Sequence, residues 1–365
     1  MLAVMDAIWI LTSGGDAPGM NAALRGIVKV AASRGVEVVG VCDGFEGLVE
    51  GRTRMLTRRE GAALSPVSEI EGLSRLGGSM LGTARSDVFL EKEGRARAAA
   101  RLQGDVGLVV IGGNGSLAGA HALGCEHAVR VVGIPASIDN DIGSTSICIG
   151  VDTALNTIVE ACDRISDTAS AHRRAFVVEV MGRDCGYLAM ASAIAVEADA
   201  VMFREQGRPD EEVLEQLGET VTRSLAPSRG KKRALIIKAE GVRLPTSRIV
   251  ESLQGRLDRS NYRGASVRAT ILGHLVRGGS PSYRDRMIAG RFALAAIRTF
   301  EQGGRDEMMA WQPSLGEGIA TDDPYVARVP LRDVLTETAR LHDGTSKVTQ
   351  RRVEMMRRLE NVLSL

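Results

Sequence analysis

With 365 residues, 44% apolar and 25% charged, the chain has room for one large or two ordinary α/β domains, with the composition of a soluble globular protein. A formal net charge of +1 gives no footprint for nucleic acid or an anionic membrane, and aromatic residues at 3% are too few for base-stacking platforms. No apolar run reaches the ~18 residues of a membrane span, no signal-peptide pattern opens the chain, and the five scattered cysteines form no CxxC pair, so a cytoplasmic protein with reduced thiols is expected. Along the chain, strand-like and helix-like stretches alternate. Residues 7–12 form an apolar run, and residues 20–32 place apolar side chains at helical spacing. Residues 36–42, 107–111 and 131–134 read as strands, with a helix predicted over 117–123. A helix over 154–165 and buried strands over 176–181 and 234–238 follow. Residues 204–233 are polar and heavily charged and are expected at the surface, and an amphipathic helix is predicted from about residue 348. The alternation predicts mostly parallel sheets flanked by helices.

Several of these strands end in unusual loops. After residues 131–134 comes Pro135-Ala136-Ser137-Ile138-Asp139-Asn140-Asp141, which sets two carboxylates two residues apart. In open α/β sheets ligands bind beyond the carboxyl ends of strands. One such carboxylate can take a proton while the other holds a metal or an amide, but Asp and Asn also favour plain turns. The residues alone leave both readings open.

Glycine clusters close two other strands, Gly14-Gly15-Asp16-Ala17-Pro18-Gly19 and Gly112-Gly113-Asn114-Gly115-Ser116. Glycine lets backbone amides approach phosphate oxygens, and the following helix adds its positive end. Neither loop matches the P-loop or the dinucleotide GxGxxG pattern. A third loop, Gly77-Gly78-Ser79-Met80-Leu81-Gly82-Thr83-Ala84-Arg85, strengthens the case for a nucleotide site, with Arg85 as a planar cation for phosphates.

These loops in this order resemble the phosphofructokinase family, from about Ile8 to Phe300. The resemblance also rests on Val180-Met181-Gly182-Arg183, Ala239-Glu240-Gly241 and Leu272-Gly273-His274-Leu275-Val276-Arg277-Gly278-Gly279-Ser280-Pro281. It implies a two-lobed α/β fold, with residues 1–150 and 276–326 as the nucleotide-binding lobe and 151–275 and 327–365 as the sugar-phosphate lobe. It implies transfer of the γ-phosphate of ATP, with Mg2+, to the 1-hydroxyl of fructose 6-phosphate, the committed step of glycolysis. By the same resemblance Asp139 is the general base, Arg183 stabilises charge on the transferred group, and Ser137 donates a hydrogen bond nearby. Asp141 positions substrate or magnesium. Gly15, Arg85, Ser86, Gly113, Asn114, Gly115 and Ser116 fall at nucleotide positions. Arg174, Arg268, His274 and Arg277 fall at sugar-phosphate positions, and Ile138, Met181, Gly182 and Glu240 at positions near the sugar. In the family the equivalents of Arg174 and Arg268 come from a neighbouring subunit of a homotetramer.

Donor choice in the family follows two positions. Pyrophosphate users tend to carry Asp where this chain has Gly115 and Lys where it has Ala136, so two small residues favour ATP. A pyrophosphate-dependent enzyme and a non-catalytic sugar-phosphate-binding paralogue are the alternatives. Asn114 stands where the family usually has a magnesium-associated Asp; an amide oxygen can ligate magnesium but attracts it less. Arg25, Lys29, Arg58, Arg229, Lys231 and Arg233 match parts of the family's effector site. Ser166 replaces a usual Arg there, and Glu197 a common Gly, which predicts a weak or altered response to ADP.

Overall fold

A computed structural model describes residues 5–61, 63–229, 232–260, 264–312 and 318–363. The chain divides into two compact units, Met1–Thr153 with Arg277–Ala339, and Ala154–Val276 with Arg340–Leu365. The first unit opens with β1 (Ala7–Ser13), α1 (Met20–Ser33), β2 (Glu37–Val41), α2 (Gly44–Glu50) and the short strands β3 (Thr53–Met55), β4 (Thr57–Glu60) and β5 (Ala63–Pro66). It continues through α3 (Asp87–Leu90), α4 (Lys92–Ala99), β6 (Val106–Gly112), α5 (Asn114–His127) and β7 (Arg130–Pro135). Helix α6 (Val151–His172) leads into the second unit, which holds β8 (Arg174–Val180), α7 (Tyr187–Ala195), β9 (Ala200–Met202), α8 (Asp210–Ser224), β10 (Arg233–Ala239), α9 (Thr246–Arg259) and β11 (Ser266–Ile271). The chain returns to the first unit for α10 (Tyr283–Glu301), β12 (Glu307–Trp311), β13 (Ile319–Ala320) and β14 (Val326–Pro330). Helix α11 (Leu331–Asp343) leads back to the second, where α12 (Lys347–Leu363) follows.

Among the described residues, eight strands of the first unit form one sheet in the order β13-β14-β12-β7-β6-β1-β2-β3. Its centre, from β12 to β2, is parallel, and the edge strands β14, β13 and β3 pair antiparallel. The central strands are apolar along their whole length because helices cover both faces; all seven residues of β6 are buried. The division expected at residue 326 falls instead after Ala339. Strand β14 pairs with β12 over Val326–Pro330, and Leu331 and Val334 of α11 are buried within this unit.

The sheet of the second unit is parallel throughout, in the order β11-β8-β10-β9. Ala175, Val177, Ala234 and Ile236 on one face pack with Leu217 and Val221 of α8 and Ile249, Leu253 and Leu257 of α9. This corrects the reading of residues 204–233 as mere polar surface. Helix α8 is charged on one side only, and its apolar stripe covers the sheet. Edge strand β11 is less covered: Arg268, Ala269 and Ile271 are exposed. Among the described residues, no helix is long and apolar enough to cross a membrane.

Candidate active site

In the first unit, β1, β6 and β7 end side by side, with Ser13 opposite Gly112 and Gly112 opposite Pro135. Three of the loops singled out in the sequence therefore leave one sheet edge, the carboxyl edge where α/β proteins bind ligands. Gly112 is required by packing, since a Cβ there would lie 2.5 Å from the Ser13 carbonyl oxygen. Gly115 is not, because a Cβ there would meet nothing within 4 Å. Where the hydrophobic pattern predicts a helix start at residue 117, α5 begins at Asn114, with Gly113 as an N-cap that offers no side chain. Asn114, Gly115 and Ser116 thus form the first turn of a helix, where backbone N–H groups have no acceptor within the helix. The cluster is a helix N-terminus with open space above Gly115.

Two further loops are fastened to this edge by side chains. The Thr12 hydroxyl donates to the Gly82 carbonyl at 2.8 Å and meets Ser79 Oγ at 2.7 Å. The Asn21 amide donates to the Gly77 carbonyl at 2.9 Å and accepts from the Met80 N–H at 2.8 Å. These four bonds fix the loop leading to Arg85. Ser86, expected to touch the cofactor, caps α3 by accepting from the Phe89 N–H at 3.1 Å. The Arg277 guanidinium lies over the first glycine loop and donates to the Asp16 carbonyl at 3.2 Å. A Cβ at Gly15 would sit 2.7 Å from Arg277 Nη1, so glycine at 15 lets this cation reach the loop.

The loop after β7 is pinned at its centre. Asn140 is 2% exposed and adopts φ 51, a left-handed conformation that Asn tolerates better than most residues. Its amide donates to the Ser146 carbonyl at 3.1 Å and accepts from the Cys148 N–H at 3.0 Å. Half-buried Asp139 and Asp141 therefore flank a clamped turn. Ser137 Oγ donates to Asp141 at 2.9 Å, so its hydroxyl hydrogen serves the loop rather than standing free for a ligand, as the sequence had suggested. The Ile138 side chain is fully buried, and only its backbone can face a ligand.

The sequence reading missed Asp285. It is 0% exposed on α10, yet it accepts from the Gly150 N–H at 2.9 Å, the Thr153 N–H at 2.8 Å and the Thr153 hydroxyl. It thereby closes the far end of the Asp139 loop where α6 begins. Burial pushes its carboxyl above the ordinary range, against the pull of those hydrogen bonds. An Asp in the first turn of a helix is a faint signal, and nothing local points to its partners some 130 residues away.

In the second unit the expected residues again sit at strand ends. Met181, Gly182 and Arg183 follow β8, and Glu240 and Gly241 follow β10. The two backbones cross closely: Gly182 has φ 128, and a Cβ at Gly241 would lie 1.9 Å from the Arg183 carbonyl oxygen. Beneath them Lys238, 2% exposed, donates to Glu179 at 2.9 Å. Arg183, Arg268 and His274 are exposed. Arg174, however, opens β8 at the end opposite Arg183. At about 3.3 Å per residue, some 20 Å separate Arg174 from the loop bearing Arg183.

Of the expected effector residues, Lys29 and Arg229 are exposed, Arg58 pairs with Glu60 at 2.8 Å, and Lys231 lies outside the described residues. Arg233 donates to Ser166 Oγ at 3.2 Å and lies 3.9 Å from a Glu197 carboxylate oxygen. Glu197 has φ 52, in the left-handed region that favours glycine.

The chain matches the family model described as Phosphofructokinase over residues 7–300. It is 43% identical over 310 residues to an ATP-dependent 6-phosphofructokinase of Thermotoga neapolitana, covering 84% of this chain and 90% of that one. It is 44% identical over 306 residues to the protein of the same name in Tolumonas auensis, covering 83% and 88%. Its fold is similar to that of phosphofructokinase from Saccharomyces cerevisiae, with a TM-score of 0.80 and 30% identity, covering 96% of this chain but only 49% of the yeast chain. A pyrophosphate-dependent phosphofructokinase from Nitrosospira multiformis shares the fold at a TM-score of 0.73 and 17% identity, covering 90% and 84%. With matching loops at the carboxyl edges of both sheets and relatives this similar over most of its length, the chain belongs to the phosphofructokinase family.

Proposed function

We infer that the protein transfers the γ-phosphoryl group of ATP to the 1-hydroxyl of fructose 6-phosphate, giving fructose 1,6-bisphosphate and ADP in glycolysis. The observation that carries this reading is the juxtaposition, at one sheet edge, of an uncapped helix N-terminus at Asn114–Ser116 and the clamped loop bearing Asp139. The first supplies fixed dipoles for a polyphosphate, and the second supplies a base. The Asp139 carboxylate takes the proton of the 1-hydroxyl as its oxygen attacks the γ-phosphorus, and the bond from that phosphorus to the bridging oxygen breaks to release ADP. Arg183 and the first-turn N–H groups of α5 offset the charge on the equatorial oxygens. Arg277, Arg85 and Gly15 hold donor or acceptor phosphates, and Met181, Gly182 and Glu240 orient the sugar.

Magnesium suits this site. The Asn114 amide oxygen at the helix start and the Asp139 and Asp141 carboxylates of the adjoining loop are hard oxygen donors. Asn114 would hold the ion, aided by Asp141, whose position Ser137 fixes. Bound there, magnesium would neutralise phosphate charge.

Arg174 and Arg268 serve the sugar phosphate of a neighbouring copy in a homo-oligomer, with a homotetramer as the assembly. The support is the position of Arg174 at the start of β8, opposite Ser266 at the start of β11, while His274 follows the far end of β11, together with the exposed apolar Ile271 and Leu275, at 63% and 61%, beside Arg268 and His274. A cytoplasmic location fits the glycolytic substrate.

The test is a coupled assay with fructose 6-phosphate and either ATP or pyrophosphate. Turnover with ATP is expected. A rate with pyrophosphate alone would reverse the reading of Gly115 and Ala136. Sugar-phosphate binding with no turnover from either donor would make the protein a sensor.

A further inference from the structure

We propose that His121, Cys125 and Asp306 form a zinc site on the first unit, apart from the phosphoryl-transfer residues. His121 and Cys125 lie at i and i+4 on α5, so they share one helix face. Asp306 reaches them from the turn before β12. His121 Nδ1 lies 2.9 Å from each Asp306 carboxylate oxygen, and Cys125 Sγ lies 3.7 Å from either ring nitrogen of His121. One ligand atom from each residue falls within 4.8 Å of the others. A tetrahedral zinc, with bonds of about 2.0 Å to nitrogen or oxygen and about 2.3 Å to sulfur, spaces its ligand atoms about 3.3–3.6 Å apart. Shifts of a few tenths of an ångström to about 1 Å therefore bring all three to one ion, with water as the fourth ligand.

The chemistry of the set is selective. A thiolate with an imidazole favours zinc over magnesium or calcium, and the two anions balance the charge of the ion. The cluster is also held in place from outside. Asp306 adopts φ 57, and its backbone is fixed by the bond from its N–H to the Val131 carbonyl and by the Leu331 N–H on its own carbonyl, each 2.8 Å. Gly124 faces it: a Cβ there would lie 3.7 Å from Asp306 Oδ1, in ordinary contact, and a tighter 3.2 Å from Val131 Cγ2, so glycine lets the helix lie close to β7 beside the carboxylate. Neighbouring Glu126 is held by Arg95 through two bonds of 2.7 and 2.9 Å and does not compete for the ion. Cys125 is exposed, which gives a metal access from solvent. Zinc there would tie the C-terminal half of α5 to the turn that joins α10 to β12.

The experiment uses the full chain stripped with a chelator and titrated with Zn2+ or Co2+ alone. One equivalent of Co2+ should give a thiolate-to-metal charge-transfer band, which Zn2+ should abolish. Zn2+ should raise the thermal midpoint. Cys125→Ser should lose the band and the thermal shift, and Cys125→Ala, which keeps an apolar side chain on the helix surface, should do the same. His121→Gln and Asp306→Asn should weaken binding about tenfold or more, since even indirect supports of a metal cost that much; Asn keeps the left-handed backbone of position 306 accessible. Absence of a thiolate band in the wild-type protein overturns the proposal. So does a band that persists in both Cys125 variants, because the thiolate would then come from another cysteine.

Discussion

In the first unit the loops of the site are laced by side chains from distant elements. Thr12 holds Gly82, Asn21 holds residues 77 and 80, Asn140 clamps its own loop, and Asp285 closes it from α10. In the second unit close glycine contacts join the side-chain bonds, with the Gly186 N–H donating to Glu205 at 2.8 Å and Arg204 donating to Asp184 at 2.6 Å. Gly182 and Gly241 let two backbones cross, while Arg183, Arg268 and His274 project into solvent. The contrast matches the roles proposed for each group. Dipoles and a base act best when they are fixed before the substrate arrives. Long cations are ordered when a phosphate, or another subunit, meets them, and they lose side-chain entropy at that moment.

The sharpest way to break this comparison is at Asp139. Asp139→Asn should lower kcat about 10²–10⁴-fold while fructose 6-phosphate still binds, as calorimetry would register. A near-wild-type kcat would remove Asp139 from its role. Next comes Gly241→Ala. The new methyl would collide with the Arg183 carbonyl oxygen, so the loop must shift by an ångström or more, and kcat should fall about a hundredfold with the circular dichroism spectrum unchanged. If the close backbone crossing at Gly241 does not set the loop that bears Arg183, this variant will be nearly silent. On the other side, Asp285→Ala leaves two backbone N–H groups and a hydroxyl buried without their acceptor. A cost of about 3 kcal/mol follows, read as a thermal midpoint lower by about 5–10 °C. An unchanged midpoint would show that the lacing is dispensable.

The smallest effect belongs to Glu197. Glu197→Gly removes a side chain from a left-handed position and should stabilise the protein by about 0.5–1 kcal/mol in denaturant titrations. It also withdraws the carboxylate beside Arg233, so activation by ADP, proposed to be weak in the parent, should strengthen. Strong ADP activation of the parent would defeat that reading.

How much of this could be read from residues alone depended on where the information lies. Strands β1, β6, β7, β8 and β10 were legible because a strand covered on both faces is a continuous apolar run. The run Ser-Val-Arg-Ala-Thr-Ile of β11 has no such signature, since it forms a half-exposed edge. Helix α8 looked like surface because its charges outnumber the few apolar residues of its buried stripe. The loops of the site were legible through their glycines and carboxylates and through family resemblance. The start of α5 inside a glycine cluster was hidden, because glycine argues locally against helix. Asp285 and the asparagine clamps were hidden because their partners are set by the fold and not by the neighbouring sequence.

Strand β8, with Arg174 at its start and Arg183 just past its end, has a genetic consequence. A chain lacking Arg174 would still offer an intact Asp139 and Arg183, and a chain lacking Asp139 would still lend a good Arg174. If neighbouring copies share their sites as proposed, two inactive alleles made in the same cell would restore activity through one hybrid site, in which Asp139 of one chain meets Arg174 of the other, while the reciprocal site carries both defects.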